Sequence, residues 1–272
     1  MTGENSSRTL DNRKALFFDV DGTLVDGHGQ VPASASAAIH EARARGALVF
    51  INSGRTYKLA SVVLKQVEAD GLLCGCGTDL RIGGRQLEAC LLPQTVVDNL
   101  RADYEAYQVD LFLEGPDGTL CAPNNRLPEA QRMQAFLKSQ GGESPYDFSA
   151  EQCPMNKFCM LTDERSRTAA FLEKYSSTVD VIDRGGGFYE CIPKGYGKGR
   201  AVRRTVELLH LNPAETYAFG DSTNDLDMLR AVAHPVVMGQ HDAALTSYAE
   251  FITRNLEDDG IAFALRQYGL IE

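Results

Sequence analysis

The sequence predicts an α/β protein: a doubly wound parallel sheet interrupted by an inserted α+β segment. Three observations predict it. At both ends of the chain, short continuous apolar runs alternate with helix-length stretches, the pattern of strands buried on both faces between helices. The middle changes rhythm and carries heavier punctuation, as in Gly115-Pro116, Gly141-Gly142 and Gly185-Gly186-Gly187. Several apolar runs end in acids, hydroxyls and glycines, and in an open parallel sheet the strand ends line the edge where ligands bind.

In chain order, residues 15–20 (ALFFDV) form a Phe-rich strand that ends at an acid, followed by a Gly-rich polar loop to Pro32. Residues 34–45 read as a helix, with Ser34 or Ser36 near its start and Gly46 as its stop. Residues 47–51 (ALVFI) are a second strand, 56–67 a second helix and 72–74 a third short strand. In the middle, strand-like 109–113 and 157–161 sit among helix-like 129–138 and 165–175. The first rhythm then returns. Residues 198–209 are helical, with Val202, Val206 and Leu209 on one stripe. Strands at 216–219, 235–238 and 251–252 alternate with helices at 225–232, 243–248 and 260–268. Residues 1–84 and 188–272 therefore form one domain around a second, 85–187.

Composition narrows the function. Among 272 residues, 27 Lys+Arg stand against 37 Asp+Glu, a net charge of −10. That balance argues against nucleic acid as a partner, because polyanion binding needs clustered cations, and against a polybasic membrane anchor. Hydrophobic residues at 43% and charged residues at 24% fit a folded globular chain. No apolar run reaches the ~18 residues of a membrane span. The polar stretch 1–14 has no signal-peptide character, so a cytoplasmic location is expected. Seven cysteines, an odd number, suit reduced thiols. Cys74 and Cys76, a C-x-C pair without a second pair, read as small residues in or just after a buried strand.

The chemistry lies at the strand ends. If the first strand stays extended through Asp21, the Asp19 and Asp21 carboxylates share one side and Gly22 turns the chain away. In Asn52-Ser53-Gly54-Arg55, Ser53 offers a hydroxyl and the following helix start offers N–H groups, together an anion site. The alternative for Ser53 is an ordinary helix cap. Gly220-Asp221-Ser222-Thr223-Asn224-Asp225 brings two further acids, for which capping is again the alternative. Converging on one sheet edge, these acids repel one another by about 4 kcal/mol per pair at 4 Å and an effective dielectric of 20. They call for a cation, and an oxygen-only donor set points to Mg²⁺. Lys198, in Gly197-Lys198-Gly199, is the candidate second positive charge.

The order DVDGTL, NSGR, a lysine in PKGYGKG, then GDSTNDLDML resembles the four motifs of the haloacid dehalogenase-like hydrolases, and more narrowly the Cof-type (type IIB) phosphatases. The resemblance covers nearly the whole chain, long insertion included. It implies a Rossmann-like core with an inserted α/β cap over 85–187 that sets substrate specificity. It implies that Asp19 is the nucleophile, forming an aspartyl-phosphate, and that Asp21 is the general acid and base. Ser53 and Lys198 hold phosphoryl oxygens, with Gly54, Arg55 and Asn224 as further substrate-binding residues. Mg²⁺ is bound by Asp19, the Asp21 carbonyl and Asp221, and Asp225 orients Lys198 or a metal-bound water. Two departures stand out: Ser53 where many relatives have threonine, and Gly75-Cys76-Gly77-Thr78 where relatives usually have an Asn-Gly-Ala stretch. Residues 189–193 match the family's re-entry strand.

The expectation is thus a Mg²⁺-dependent phosphatase for small phosphorylated metabolites, sugar phosphates foremost, acting as a monomer or homodimer with neither nucleic acid nor membrane as partner. Two alternatives remain: a phosphotransferase or phosphomutase using the same intermediate, and a non-catalytic, receiver-like phosphate-binding regulator. Arg55 and residues 184–189 are candidates to face the leaving group.

Overall fold

The computed structural model describes residues 10–272, so most of the polar stretch 1–14 lies outside the described residues. The chain divides into two units, Met1–Phe50 with Val202–Glu272, and Ile51–Ala201.

The first unit opens with strand β1 (Ala15–Phe18), helix α1 (Ala33–Ala44) and strand β2 (Leu48–Asn52), whose last two residues pass into the second unit. α1 begins behind Pro32 with no side-chain cap, so neither Ser34 nor Ser36 has the capping role. Gly46 does end it, at φ +96° and donating its N–H to the Arg43 carbonyl, a left-handed conformation open to glycine. The second unit continues with α2 (Tyr57–Ala60), β3 (Gly71–Cys74), β4 (Asp79–Ile82), β5 (Arg85–Ala89) and α3 (Gln94–Asp103). Then come β6 (Asp110–Gly115), β7 (Gly118–Cys121), α4 (Pro128–Ser139), β8 (Lys157–Leu161) and α5 (Thr168–Tyr175). β9 (Val179–Asp183), β10 (Phe188–Pro193) and the start of α6 (Lys198–Leu208) complete it. The first unit resumes with β11 (Thr216–Gly220), α7 (Leu226–Leu229), β12 (His234–Val237), β13 (Phe251–Ile252) and α8 (Gly260–Gln267).

The larger sheet has the order β13-β12-β11-β1-β2-β3-β4-β5. Within the first unit β1, β11, β12 and β13 pair in parallel, with Phe18 opposite Phe219, and the rings of those two stack at 4.4 Å. α1 packs against α8. The parallel sheet expected from sequence is therefore present, and in the second unit β3 pairs with β4, and β4 with β5, antiparallel. The β4–β5 turn uses Gly83 and Gly84, both at positive φ, as a two-residue hairpin with matching twist requires.

The smaller sheet, β7-β6-β8-β10-β9, is antiparallel throughout. Leu111, Leu113, Phe158 and Met160 pack one face against Phe171 and Tyr175 of α5. Phe112, Cys159 and Leu161 turn the other face toward Leu59 of α2 and Ala130 and Leu137 of α4. Both expected domain boundaries fall elsewhere in sheet terms. Arg85–Ala89 extends the larger sheet, because the Gly83-Gly84 hairpin folds it straight back on β4. Phe188–Pro193 is an inner strand of the smaller sheet, between β8 and β9.

Candidate active site

Asp19 and Asp21 part company. β1 ends at Phe18, one residue before the first acid, so strand alternation does not carry through Asp21. Asp19 is 4% exposed and donates its N–H to the Phe219 carbonyl at 3.0 Å. Asp21 is exposed and bridges to Val25 in a tight turn that folds onto the Val20 carbonyl. Gly22, at φ +87°, makes that turn, and an added Cβ would lie 2.4 Å from Asp221 Oδ2. Glycine is needed here both for the backbone and for the close approach.

The GDSTND segment follows β11, the parallel neighbour of β1, which is why its acids meet Asp19. Carboxylate oxygens of Asp19, Asp221 and Asp225 lie within 4.8 Å of one another, the acidic group of this kind among the described residues. Thr23, fully buried, donates its hydroxyl to Asp221 Oδ1 at 2.8 Å. Asp225, also fully buried, accepts the N–H groups of Asp221 and Ser222 on Oδ2 at 3.0 and 3.2 Å. Capping and site-building thus coincide in Asp225. The expected helix 225–232 is a 3₁₀ turn over Thr223–Asp225 followed by the short α7. Ser222 Oγ donates to Asn224 Oδ1 at 2.6 Å, which engages the amide oxygen as an acceptor. At an effective dielectric of 20, each carboxylate pair at this spacing is repelled by about 3–4 kcal/mol. The donors of Asp19, Asp221 and Asp225 are all hard carboxylate oxygens, the kind a hard divalent cation takes. The donor set therefore fits Mg²⁺.

In the second unit, Ser53 is buried but caps no helix. Its Oγ accepts the Arg55 N–H at 3.1 Å, while Thr56 caps α2. The expected helix 56–67 breaks after Ala60 into a 3₁₀ turn, with Ser61 Oγ bonded back to the Lys58 carbonyl. A four-residue helix makes no helix-dipole site, so the anion site expected from a helix start here is not formed by α2. Hydrogen bonds from Leu73–Cys76 hold the 53–55 turn: Ser53 N–H to the Leu73 carbonyl, Gly75 N–H to Arg55, and Cys76 N–H to Ser53. Lys198, at the first turn of α6, is buried, and its carbonyl accepts the Asn52 amide at 2.9 Å. Gly54 and Arg55 are half-buried.

The sequence did not point to a buried ionic group on the smaller sheet. Lys157 of β8, 1% exposed, lies 2.5 Å from Glu114 Oε2 on β6 and 2.7 Å from Glu190 Oε1 on β10. Register explains it: Glu114 is opposite Lys157, and Glu190 is opposite Cys159, on one face of the sheet. Burial alone would raise the Glu190 carboxyl, but attraction to Lys157, with hydrogen bonds from Lys157 and Cys76, holds it below the usual range. Burial would likewise lower the Lys157 ammonium, and the surrounding thiols and carboxylates hold it well above its ordinary value. Arg184 Nη1 stands 3.9 Å from Glu190 Oε2. Cys74 and Cys76 are buried free thiols.

A family model described as haloacid dehalogenase-like hydrolase matches residues 16–265. YkrA of Bacillus subtilis, provisionally named a phosphatase, is 28% identical over 263 residues, spanning 95% of this chain and 99% of its own. HMP-PP phosphatase of Serratia proteamaculans is 27% identical over 239 residues, 82% of each chain. Among solved structures, the subclass IIB sugar phosphatase BT4131 superposes with a TM-score of 0.80 at 26% identity, over 95% of this chain and 100% of its own.

Proposed function

Because the chain belongs to the haloacid dehalogenase-like hydrolases and is a phosphatase, we propose that it hydrolyses small phosphate monoesters, sugar phosphates foremost, through a phosphoryl group carried on Asp19. The observation that carries this reading is the gathering of Asp19, Asp221 and Asp225 within 4.8 Å beside a turn that only glycine can make. Asp19 attacks phosphorus, and the P–O bond to the leaving group breaks as Asp21 gives that oxygen its proton. Water then attacks the same phosphorus, passing a proton to Asp21, and inorganic phosphate leaves with the Asp19 carboxylate restored. Asp21 is exposed, so water can reach it.

Ser53 is assigned to a phosphoryl oxygen. Its Oγ accepts the Arg55 N–H, which leaves its own hydroxyl proton to donate. Lys198, Gly54, Arg55 and the Asn224 amide are assigned to the same anion, and Asp225 to holding the Asp221–Ser222 backbone. Asp19 and Asp221, with the Asp21 carbonyl, would hold Mg²⁺, which supplies charge neutralisation for carboxylates and phosphoryl group alike. The insertion expected at 85–187, which in the structure is the smaller sheet β6–β10 with α3, α4 and α5, is assigned to leaving-group selection. The relatives' names support this, since HMP-PP and sugar phosphatases share the chain's length yet differ in leaving group. The free thiols suit a reducing cytoplasm.

Chelation with EDTA is expected to stop phosphate release from p-nitrophenyl phosphate, and Mg²⁺ to restore it. Saturating Mg²⁺, at about a hundred times its Kd, should also stabilise the protein by about 2.7 kcal/mol, read as a higher melting temperature. Turnover that survives chelation sinks the metal assignment. A rearranged phosphate ester without free phosphate would instead identify a mutase. Gly22→Ala forces Asp221 aside and should lower turnover roughly 10²-fold. Activity within about twofold of wild type would show that the close approach of Gly22 to Asp221 is dispensable.

A further inference from the structure

We propose that the buried row Glu114–Lys157–Glu190 positions the 53–55 turn through Cys76, making Glu190 and Cys76 positioning residues for phosphate binding. The proposal rests on the reading above that this turn holds the phosphoryl group.

The row is a poor device for stability alone. Taking one ammonium and two carboxylates out of water is costly, and well-packed apolar residues often serve a fold as well or better. It is nevertheless complete: Lys157 Nζ also reaches Cys159 Sγ at 3.5 Å, so its three protons meet three acceptors. The far end of the row leads to the turn. Glu190 Oε1 accepts the Cys76 thiol at 3.2 Å, and the Cys76 N–H holds the Ser53 carbonyl at 3.1 Å. Glu190 also sits directly against Gly54, where an added Cβ would lie 2.9 Å from Oε1 and 3.4 Å from Cys76 Sγ.

Cys76 is an unusual residue for its place. It is buried at φ +55°, in the left-handed region that disfavours side chains other than Asn, Asp or Gly by roughly 1–2 kcal/mol. The bond to Glu190 gives that conformation a partner. Burial and the neighbouring Glu190 charge keep the thiol protonated, and so able to donate. The lysine has a reason as well. A bare carboxylate against an anion-holding turn would repel the anion, whereas one paired with Lys157, and with Arg184 at 3.9 Å, braces the turn with little net negative charge.

The test uses the full chain with Mg²⁺ and reads KM for p-nitrophenyl phosphate, kcat, and inhibition by inorganic phosphate. The turn meets the phosphoryl group in ground and transition states alike, so loosening it weakens binding more than turnover. Cys76→Ala should raise KM and the phosphate inhibition constant about tenfold, with kcat changed by less than about threefold. Cys76→Ser keeps a donor for Glu190 and should bring both constants back to within about threefold of wild type. Lys157→Met combined with Glu114→Gln and Glu190→Leu removes all three charges together with the acceptor of the Cys76 thiol, and should repeat the Cys76→Ala pattern. A lower melting temperature with unchanged KM and phosphate inhibition in Cys76→Ala would overturn the positioning role. Calorimetric titration with inorganic phosphate separates the two readings. Wild-type protein that binds phosphate without turning over p-nitrophenyl phosphate fails the phosphatase reading. Equal phosphate affinity in wild type and Cys76→Ala fails the positioning role.

Discussion

Asp19→Asn is expected to abolish phosphate release while raising the melting temperature of the metal-free protein. Asparagine matches aspartate in shape and keeps the backbone bond to the Phe219 carbonyl. What it loses is the carboxylate proposed above as the nucleophile, so turnover should fall at least ~10³-fold. It also removes one of three acids held within 4.8 Å of each other, and each pair lost at this spacing relieves repulsion. In EDTA the variant should therefore melt a few degrees higher, since a gain of about 1 kcal/mol moves a chain of this size by roughly 2–4 °C. Phosphate assays and differential scanning calorimetry read the two effects independently. A variant that lost activity and stability together would give Asp19 a structural role and end its candidacy as nucleophile.

Lys157→Met is expected to be the most destabilising single change on the smaller sheet. It leaves Glu114 and Glu190 facing each other across β8 without their cation. Removing one partner of a buried pair costs about 3–5 kcal/mol, on the order of 10 °C in melting temperature here. Adding Glu114→Gln and Glu190→Gln removes the uncompensated charge and should recover most of the loss. A single variant that melts within about 2 °C of wild type would mean that water already reaches the row and screens it.

What the sequence disclosed, and what it hid, follows from where each signal resides. β1, β2, β8 and β11 are short apolar runs buried along their length, and such runs announce themselves. β5 (RQLEA) and β9 (VDVID) lie at sheet edges, largely exposed, with charges alternating along them, so nothing in their composition separates them from loop. Asp19, Asp221 and Asp225 were legible because parallel strands deliver their ends to one edge, a rule that needs no coordinates. Asp21 was legible as a residue but not as a position, since the strand stops at Phe18 and the turn after it depends on backbone bonds to Val20. The Lys157 row was hidden for another reason. A lysine opening a strand reads as its solvated end, and only the antiparallel register shows Glu114 opposite it.

The hydrogen bond from Asn52 to the Lys198 carbonyl has a bearing on how the protein comes into being. β1 and β11, and with them Asp19 and Asp221, are brought together across about two hundred residues of chain, a closure that costs about 5 kcal/mol of entropy if the whole span is loose. Residues 51–201 are continuous, so they can complete their own contacts while the rest of the chain is still being synthesised. Once they do, residues 52 and 198 are fastened side by side, and the gap left for β11 to close shrinks to short segments at either end. The order of assembly is thereby set. On the ribosome the carboxylate trio can close only after Asp221 and Asp225 have been made, by which time residues 51–201 are already complete in sequence.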